Sequence, residues 1–112
     1  HTPTAYRYIA SCAIPAYLQT SNQATRALYS AIRAGYNKVG ELHQVQCPSL
    51  VLAAKEDRHI TAECSLETSQ NQQNCQFHCY PNTAHLFPWE IPDQLLSDID
   101  SWLMENPQAV KF

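Results

Sequence analysis

The chain has little charge and no long apolar run. Only 15% of its 112 residues are charged, and this low fraction predicts that part of the surface faces other protein. A membrane-spanning helix needs ~20 consecutive apolar residues. The apolar run from Ile9 to Leu18 is shorter and is interrupted by Pro15. We therefore expect no membrane span.

The chain also lacks an excess of basic residues. The formal net charge is -3, and the seven Lys and Arg are scattered without forming a basic stripe. A nucleic-acid-binding surface needs clustered positive charge to neutralise phosphates. We therefore exclude nucleic acid as the main partner.

The amino terminus shows no recognisable targeting segment. No basic region precedes the apolar run, and a secretory signal peptide needs one. The first residue is His1 rather than Met. We expect that the chain begins within a longer protein, whose upstream part could have carried such a signal.

The cysteines are odd in number and irregularly spaced, which is not typical of a secreted disulfide framework. We expect free, buried thiols and a cytoplasmic protein. There is no CxxC or HExxH motif, and in a strand His78 points away from its two cysteine neighbours, so we predict no metal site. The five cysteines are Cys12, Cys47, Cys64, Cys75 and Cys79.

The first third of the chain has a helical pattern. Apolar residues recur at helical spacing from Ala24 to Val39, including Leu28, Ile32 and Tyr36. Ser21 or Asn22 can cap the start of this helix, and Gly40 can close its end. Residues 4–18 are less regular, and Pro15 there either breaks or starts a helix.

After Cys47-Pro48 the pattern changes to strand, helix, strand, helix. The apolar run 49–54 predicts a buried strand, and Thr61 can cap a helix that extends to about Gln70. Residues 76–80 predict a second strand, Pro81-Asn82 a turn, and Pro92 the start of a last helix that stops before Pro107.

This order predicts an α/β fold with parallel strands and a right-handed crossover. Two strands alone make a poor sheet, so we expect neighbouring strands from another segment. The expected division is a helical, cap-like segment over residues 1–44 and a core segment over residues 45–112.

Two residues stand where such a sheet places its ligands. Asp57 follows the carboxyl end of the first strand, and His85 lies in the loop after the second. If the strands are neighbours, these loops bring a carboxylate to an imidazole. A carboxylate so placed fixes the histidine tautomer and stabilises the imidazolium, which makes the histidine a general base. Glu56 is the fallback carboxylate.

The residues around both positions resemble those of the α/β-hydrolase family. The segment from Pro48 to Asp57 is similar to that family's strand and acid, and Ala84-His85 followed by Trp89-Glu90-Ile91-Pro92 to its histidine segment. The separation of 28 residues between Asp57 and His85 also fits. The resemblance covers residues 41–105 best. Residues 1–40 resemble the mobile cap helices of many members.

The resemblance implies esterase-like hydrolysis of a small substrate by a catalytic triad, with Asp57 as its acid, His85 as its base and no cofactor. The family's G-x-S-x-G elbow is absent, and the only glycines are Gly35 and Gly40. The nucleophile and the oxyanion hole would then come from an N-terminal part of the protein. The 112 residues alone would be inactive.

The chain departs from the family at two loop positions and leaves alternatives open. Alanine replaces the usual glycine at Ala54 and Ala84, and glycine alone tolerates positive φ freely. These departures favour a second hypothesis, a non-catalytic hydrolase-like binding module. With an aspartate nucleophile, the same pair would serve epoxide or haloalkane hydrolysis. A third reading is a complete small domain.

The remaining candidates are given structural roles. Ser11-Cys12 lacks a flanking glycine and is expected to pack in the core. Trp89 is expected to pack the histidine loop against the last helix. No substrate-binding residue can be selected. The expected partners are a small-molecule substrate and the N-terminal part of the same protein, and the isolated chain is expected to form homo-oligomers or to aggregate.

Overall fold

A computed structural model describes residues 3–35 and 37–110. The N-terminal helices are α1 (Pro3–Tyr8), α2 (Ile14–Gln19) and α3 (Asn22–Arg33), with a π-helical turn at Ile9–Ala13 and a 3₁₀ turn at Val39–Gln44. They are followed by β1 (Ser49–Ala54), α4 (Ala62–Gln70), β2 (Cys75–Tyr80), α5 (Phe87–Glu90) and α6 (Pro92–Glu105), and by a 3₁₀ turn at Pro107–Val110.

The two strands pair in parallel. Their register runs from Ser49 opposite Cys75 to Ala54 opposite Tyr80, so both strands end at the same edge of the sheet. Among the described residues the sheet consists of these two strands. The parallel pairing and the α/β class are as predicted, and the shared edge brings the loops after β1 and β2 together.

Helices cover the sheet through different contacts. Helix α4 packs on both strands. Helix α6 is tied to β2 by Tyr80, whose hydroxyl donates to Asp98 Oδ2 at 2.9 Å. Tyr80 is fully buried, and burial together with the Asp98 carboxylate raises its pKa to about 12. The core of the fold therefore lies between these helices and the carboxyl half of the sheet, directly below the loops of interest.

Local signals in the sequence explain the elements of this unit. Strand β1 has the predicted bounds, and β2 begins one residue earlier than predicted. The Thr61 hydroxyl accepts the Cys64 amide at 3.5 Å and caps α4. Pro92 is the first residue of α6, where its missing N–H costs no hydrogen bond. The short helix α5 was not predicted.

The predicted end of α3 is wrong. The helix stops at Arg33, and Gly35 has φ +96°, a left-handed conformation that glycine adopts without strain. Gly35 rather than Gly40 therefore closes the helix. Tyr36, which was predicted to continue the apolar stripe, lies outside the described residues, and Val39 belongs to the following 3₁₀ turn.

The start of α3 is as predicted, but its apolar stripe is not buried. The Ser21 hydroxyl accepts the Ala24 amide at 3.1 Å. Leu28 is 60% exposed and Ile32 is 53% exposed. The N-terminal helices thus have amphipathic sequences, but in the described structure they do not share a core with the sheet.

The cysteines are free but not buried. Cys12, Cys47 and Cys64 are exposed, and Cys75 and Cys79 are half-buried. The expectation of buried thiols is therefore wrong, because three of these residues lie on helix surfaces or in turns rather than in the core. Within residues 3–35 and 37–110, no helix is long and apolar enough to cross a membrane.

Candidate active site

Asp57 is fixed by the turn that follows β1. Its amide donates to the Ala54 carbonyl at 3.2 Å, which closes the turn. Its side-chain Oδ1 accepts the backbone amides of His59 at 2.8 Å and Ile60 at 3.1 Å. The side chain is only 8% exposed. One carboxylate oxygen is therefore held by the backbone, which leaves Oδ2 free to point at another group.

The loop that carries His85 is held against the Asp57 turn. The amide of Glu56 donates to the Thr83 carbonyl at 2.8 Å, and the amide of Lys55 donates to the Tyr80 carbonyl at 2.9 Å. Asn82 has φ +54°, a conformation that asparagine tolerates better than most residues. Thr83 is buried, and its hydroxyl donates to the Tyr80 carbonyl at 3.1 Å. These bonds fix the two loops as one unit.

The two alanines that replace the usual glycines fit these loops. Neither Ala54 nor Ala84 has a positive φ. Glycine's conformational freedom is therefore not needed at either position. Alanine at both positions is therefore compatible with the described conformation of these loops.

The structure brings the two predicted site residues into contact. His85 Nδ1 lies 2.9 Å from Asp57 Oδ2, and the His85 side chain is 47% exposed. Burial opposes ionisation of Asp57 most strongly. The hydrogen bonds from His85 and from the amides of His59 and Ile60 together outweigh it, so the pKa of Asp57 lies below its ordinary value of 3.8.

This electrostatic balance assigns the histidine tautomer. Asp57 is ionised at neutral pH, and an ionised carboxylate only accepts hydrogen bonds. The proton between the two residues is therefore on Nδ1 of His85. The opposite nitrogen, Nε2, has no hydrogen-bond partner among the described residues. A neutral His85 thus presents an unshared electron pair that can take up a proton.

His85 opens onto a cleft of about 590 Å³. The ring of His59 is tilted against that of His85, with 4.8 Å between the ring centroids. No serine or cysteine is among the described residues that line the cleft. The lining residues are Ile9, Glu56, Arg58, His59, Asn82, Thr83, Ala84, His85, Leu86 and Glu90.

The N-terminal helices contribute one wall of this cleft. The rings of Tyr8 and Trp89 stack with centroids 3.9 Å apart and an interplanar angle of 23°. This contact joins α1 to α5 and brings Ile9 to the cleft. Trp89 was predicted to pack the histidine loop against the last helix. The described aromatic partner of Trp89 is Tyr8, from the N-terminal segment, and the packing against the last helix stays a prediction.

The structure also places the weaker candidates. Glu56 lines the cleft but does not contact His85, so Asp57 is the carboxylate paired with the imidazole. Ser11 and Cys12 are exposed, and the Ser11 hydroxyl donates to the Arg7 carbonyl at 2.6 Å, so the predicted core packing is wrong there. In the described part of the chain, no group of His, Cys, Asp and Glu side chains could hold a metal ion.

Two cleft residues were missed by the sequence analysis. His59 is two residues after Asp57, in the same tight turn, and that short separation could have indicated it. Glu90 was noted only as part of the segment that opens the last helix. One of its carboxylate oxygens is buried without a hydrogen-bond partner, a property that no sequence pattern indicates.

Comparison with known proteins decides the family. The model of the Dienelactone hydrolase family matches residues 15–105. The chain belongs to the dienelactone hydrolase family. The matched range contains β1, β2 and both loops of the candidate site, and this family is part of the α/β-hydrolase superfamily that the sequence resembles. Neither the comparison with curated proteins nor that with solved structures found a match.

Membership of the dienelactone hydrolase family supports hydrolase activity in general terms. It also accounts for the parallel strands and the position of the cleft at their carboxyl ends. The roles of single residues are a separate question, which the site geometry addresses.

Proposed function

We propose that this chain supplies the acid–base pair of an enzyme that hydrolyses small esters. His85 is the general base, and Asp57 orients it. The observation that carries the proposal is the 2.9 Å contact between His85 Nδ1 and Asp57 Oδ2 at the edge of a cleft. A buried carboxylate paired with a half-exposed imidazole is the arrangement that activates a nucleophile in hydrolases.

In the proposed reaction, Nε2 of His85 takes the proton of a nucleophile as the nucleophile attacks the ester carbonyl carbon. The C–O bond to the alcohol breaks, and His85 gives its proton to the leaving oxygen. Water, deprotonated by the same nitrogen, then attacks the acyl carbon, the bond to the nucleophile breaks, and His85 returns the proton to the nucleophile as the acid is released. Asp57 stabilises the imidazolium in both steps and keeps its proton on Nδ1.

The substrate class is proposed from the family and the cleft together. The family's name refers to a dienelactone, and a lactone is a cyclic ester. A cleft of about 590 Å³ lies within the range of small-molecule sites. Ile9 and Leu86 give it apolar surface beside the charged residues. We therefore propose that the substrate is a small ester or lactone and that its hydrolysis uses no cofactor.

The nucleophile is proposed to lie in another part of the protein, N-terminal to residue 1. The described cleft contains no serine or cysteine next to His85. The same part would supply the oxyanion hole and further strands beside the sheet. Residues 1–44 would then act as a cap over the cleft, as Ile9 and the Tyr8–Trp89 stack suggest, and residues 45–112 as part of the core. The five free cysteines support a cytoplasmic enzyme.

The test is ester hydrolysis by the complete protein and its His85→Ala variant. Without the base, kcat should fall by about 10⁴- to 10⁶-fold, as for other triads. His43→Ala is the matched control, because His43 lies exposed in the 3₁₀ turn away from the cleft. It should leave kcat unchanged.

Full activity in His85→Ala would overturn the proposal. An inactive complete protein that still binds esters would favour the binding module instead. Mass spectrometry of the trapped acyl or alkyl intermediate identifies the nucleophile, and an alkylated aspartate would replace ester hydrolysis by epoxide or haloalkane chemistry. The 112 residues alone should show no turnover.

A further inference from the structure

We propose that Glu90 is a substrate-binding residue that accepts a hydrogen bond from a hydroxyl or ammonium group of the substrate. The inference rests on the proposed function, because it names the substrate group that the same cleft selects. It assigns the specificity of the cleft to a residue that has no part in the proton transfers.

Glu90 is placed beside the acid–base pair by the chain itself. It is the last residue of α5, the short helix that begins two residues after His85. Its amide donates to the Leu86 carbonyl at 3.1 Å, which fixes its backbone on the cleft wall. Its side chain lines the same cleft as His85. A substrate whose carbonyl lies at His85 would therefore occupy a cleft that Glu90 also lines.

The carboxylate of Glu90 is not satisfied within the described structure. Its Oε1 atom is buried and has no hydrogen-bond partner. Buried polar atoms without a partner are rare in folded proteins, because the atom loses its hydration and gains nothing in return. The last torsion of glutamate has broad, two-fold minima, so rotation of the carboxylate can bring an oxygen to the cleft that Glu90 lines. A donor on the substrate would then supply a hydrogen bond that the carboxylate lacks.

The charges around Glu90 favour a donor over an acceptor. The carboxylate of Glu56 also lines the cleft, and Asp57 is hydrogen-bonded to the lining residue His85. The described lining residues include one basic side chain, Arg58. No ion pair joins Arg58 to Glu90 in the described structure. The local charge is thus negative, which disfavours an anionic substrate group near Glu90 and favours a neutral hydroxyl or a cation.

Three methyl esters of equal size test the inference. Methyl 3-hydroxypropanoate carries a hydroxyl, β-alanine methyl ester carries an ammonium, and methyl butanoate carries a methyl group at the same position. Their kcat/KM values are measured on the complete protein and on Glu90→Leu, Glu90→Gln and Glu56→Gln. Each ester is compared only between variants, so its intrinsic reactivity cancels.

Glu90→Leu should lower kcat/KM for the hydroxyl and ammonium esters by about 10-fold or more, the size expected for a hydrogen bond to a charged group. It should not lower kcat/KM for methyl butanoate. Glu90→Gln should retain most of the preference for the hydroxyl ester, because its carbonyl still accepts, and should lose the preference for the ammonium ester. Glu56→Gln removes the same charge from the cleft and should leave the enzyme's preference for the hydroxyl ester over methyl butanoate unchanged.

Equal losses for all three esters in Glu90→Leu would overturn the inference, because they would indicate a structural role. Equal losses of kcat/KM for the ammonium ester in Glu56→Gln and Glu90→Gln would overturn it as well. Binding of the matching amides to the complete His85→Ala protein, followed by the ring signals of His59, gives the comparison without turnover. If the hydroxyl and ammonium amides bind no more tightly than the methyl amide, the result also counts against Glu90 as a substrate-binding residue. Activity in His85→Ala, by contrast, counts against the acid–base pair alone.

Discussion

The two segments of the chain differ in how their apolar residues are used. In the N-terminal helical segment (residues 1–44), apolar side chains at helical spacing lie open to solvent, with Leu18 76% exposed and Leu28 60% exposed. In the strand–helix–strand–helix unit (residues 45–112), Tyr80 is fully buried and Ala54 nearly so. The buried hydrophobic residues among those described, Ala53, Ala54, Ala62 and Tyr80, therefore all lie in the second segment.

The difference shows what an amphipathic pattern can establish. Helical spacing identifies which face of a helix is apolar, but not whether another element covers it. A continuous apolar run such as 49–54 is more informative, because it suits a strand that is covered on both faces. In β1, however, Ala53 and Ala54 are buried and the other four residues are half-buried, so the described helices cover the carboxyl end of the predicted buried strand. The segments are joined by the stack of Tyr8 on Trp89 and by contacts between the 3₁₀ turn Val39–Gln44 and α4.

The largest effect that separates the segments is expected at Tyr80. Tyr80→Ala should lower the free energy of unfolding by about 3–5 kcal/mol, the usual cost of removing a buried aromatic ring. Leu28→Ala on α3 should change it by less than about 0.5 kcal/mol, as is typical of exposed positions. Urea unfolding followed by circular dichroism measures both. A large cost at Leu28 would mean that another surface covers α3, and a homo-oligomer would then be the first explanation to examine by sedimentation.

A smaller, pH-dependent effect is expected at Asp57. The pKa of Asp57 in the folded chain is lowered below its ordinary value of 3.8. Ionised Asp57 therefore stabilises the fold above pH 3.8, and this stabilisation is lost as the pH falls through the lowered pKa. Asp57→Asn should therefore cost about 1–3 kcal/mol at neutral pH, the range for hydrogen bonds to a charged group. The two proteins should converge in acid. Urea unfolding across this pH range measures the difference, and a cost that did not depend on pH would contradict the sign of the pKa shift.

The smallest effect concerns the link between the segments. A double-mutant cycle with Tyr8→Ala and Trp89→Ala should give a coupling energy of about 0.5–1.5 kcal/mol, the range for aromatic pairs. Thermal unfolding of the four proteins measures it. Zero coupling would show that α1 does not rest on α5 in solution, and the assignment of Ile9 to the cleft wall would then fail with it.

The sequence predicted those features that local chemistry decides. The bounds of β1, the Thr61 cap and the position of Pro92 follow from apolar runs, hydroxyl caps and the missing amide of proline. The contact of Asp57 with His85 was expected because parallel strands end at one edge. The role of Gly35 was missed because two glycines, five residues apart, each can end a helix. The buried oxygen of Glu90 and the place of Trp89 depend on contacts distant in sequence, which no local pattern contains.

The central claim, that Asp57 holds His85 ready to accept a proton on Nε2, is tested most directly by the protonation of the His85 ring. Long-range ¹H–¹⁵N spectra of the neutral ring in the complete protein distinguish the two nitrogens. We predict a proton on Nδ1 and none on Nε2, with Asp57→Asn abolishing this preference. A proton on Nε2 in the unsubstituted chain, with Nδ1 bare, would contradict the account.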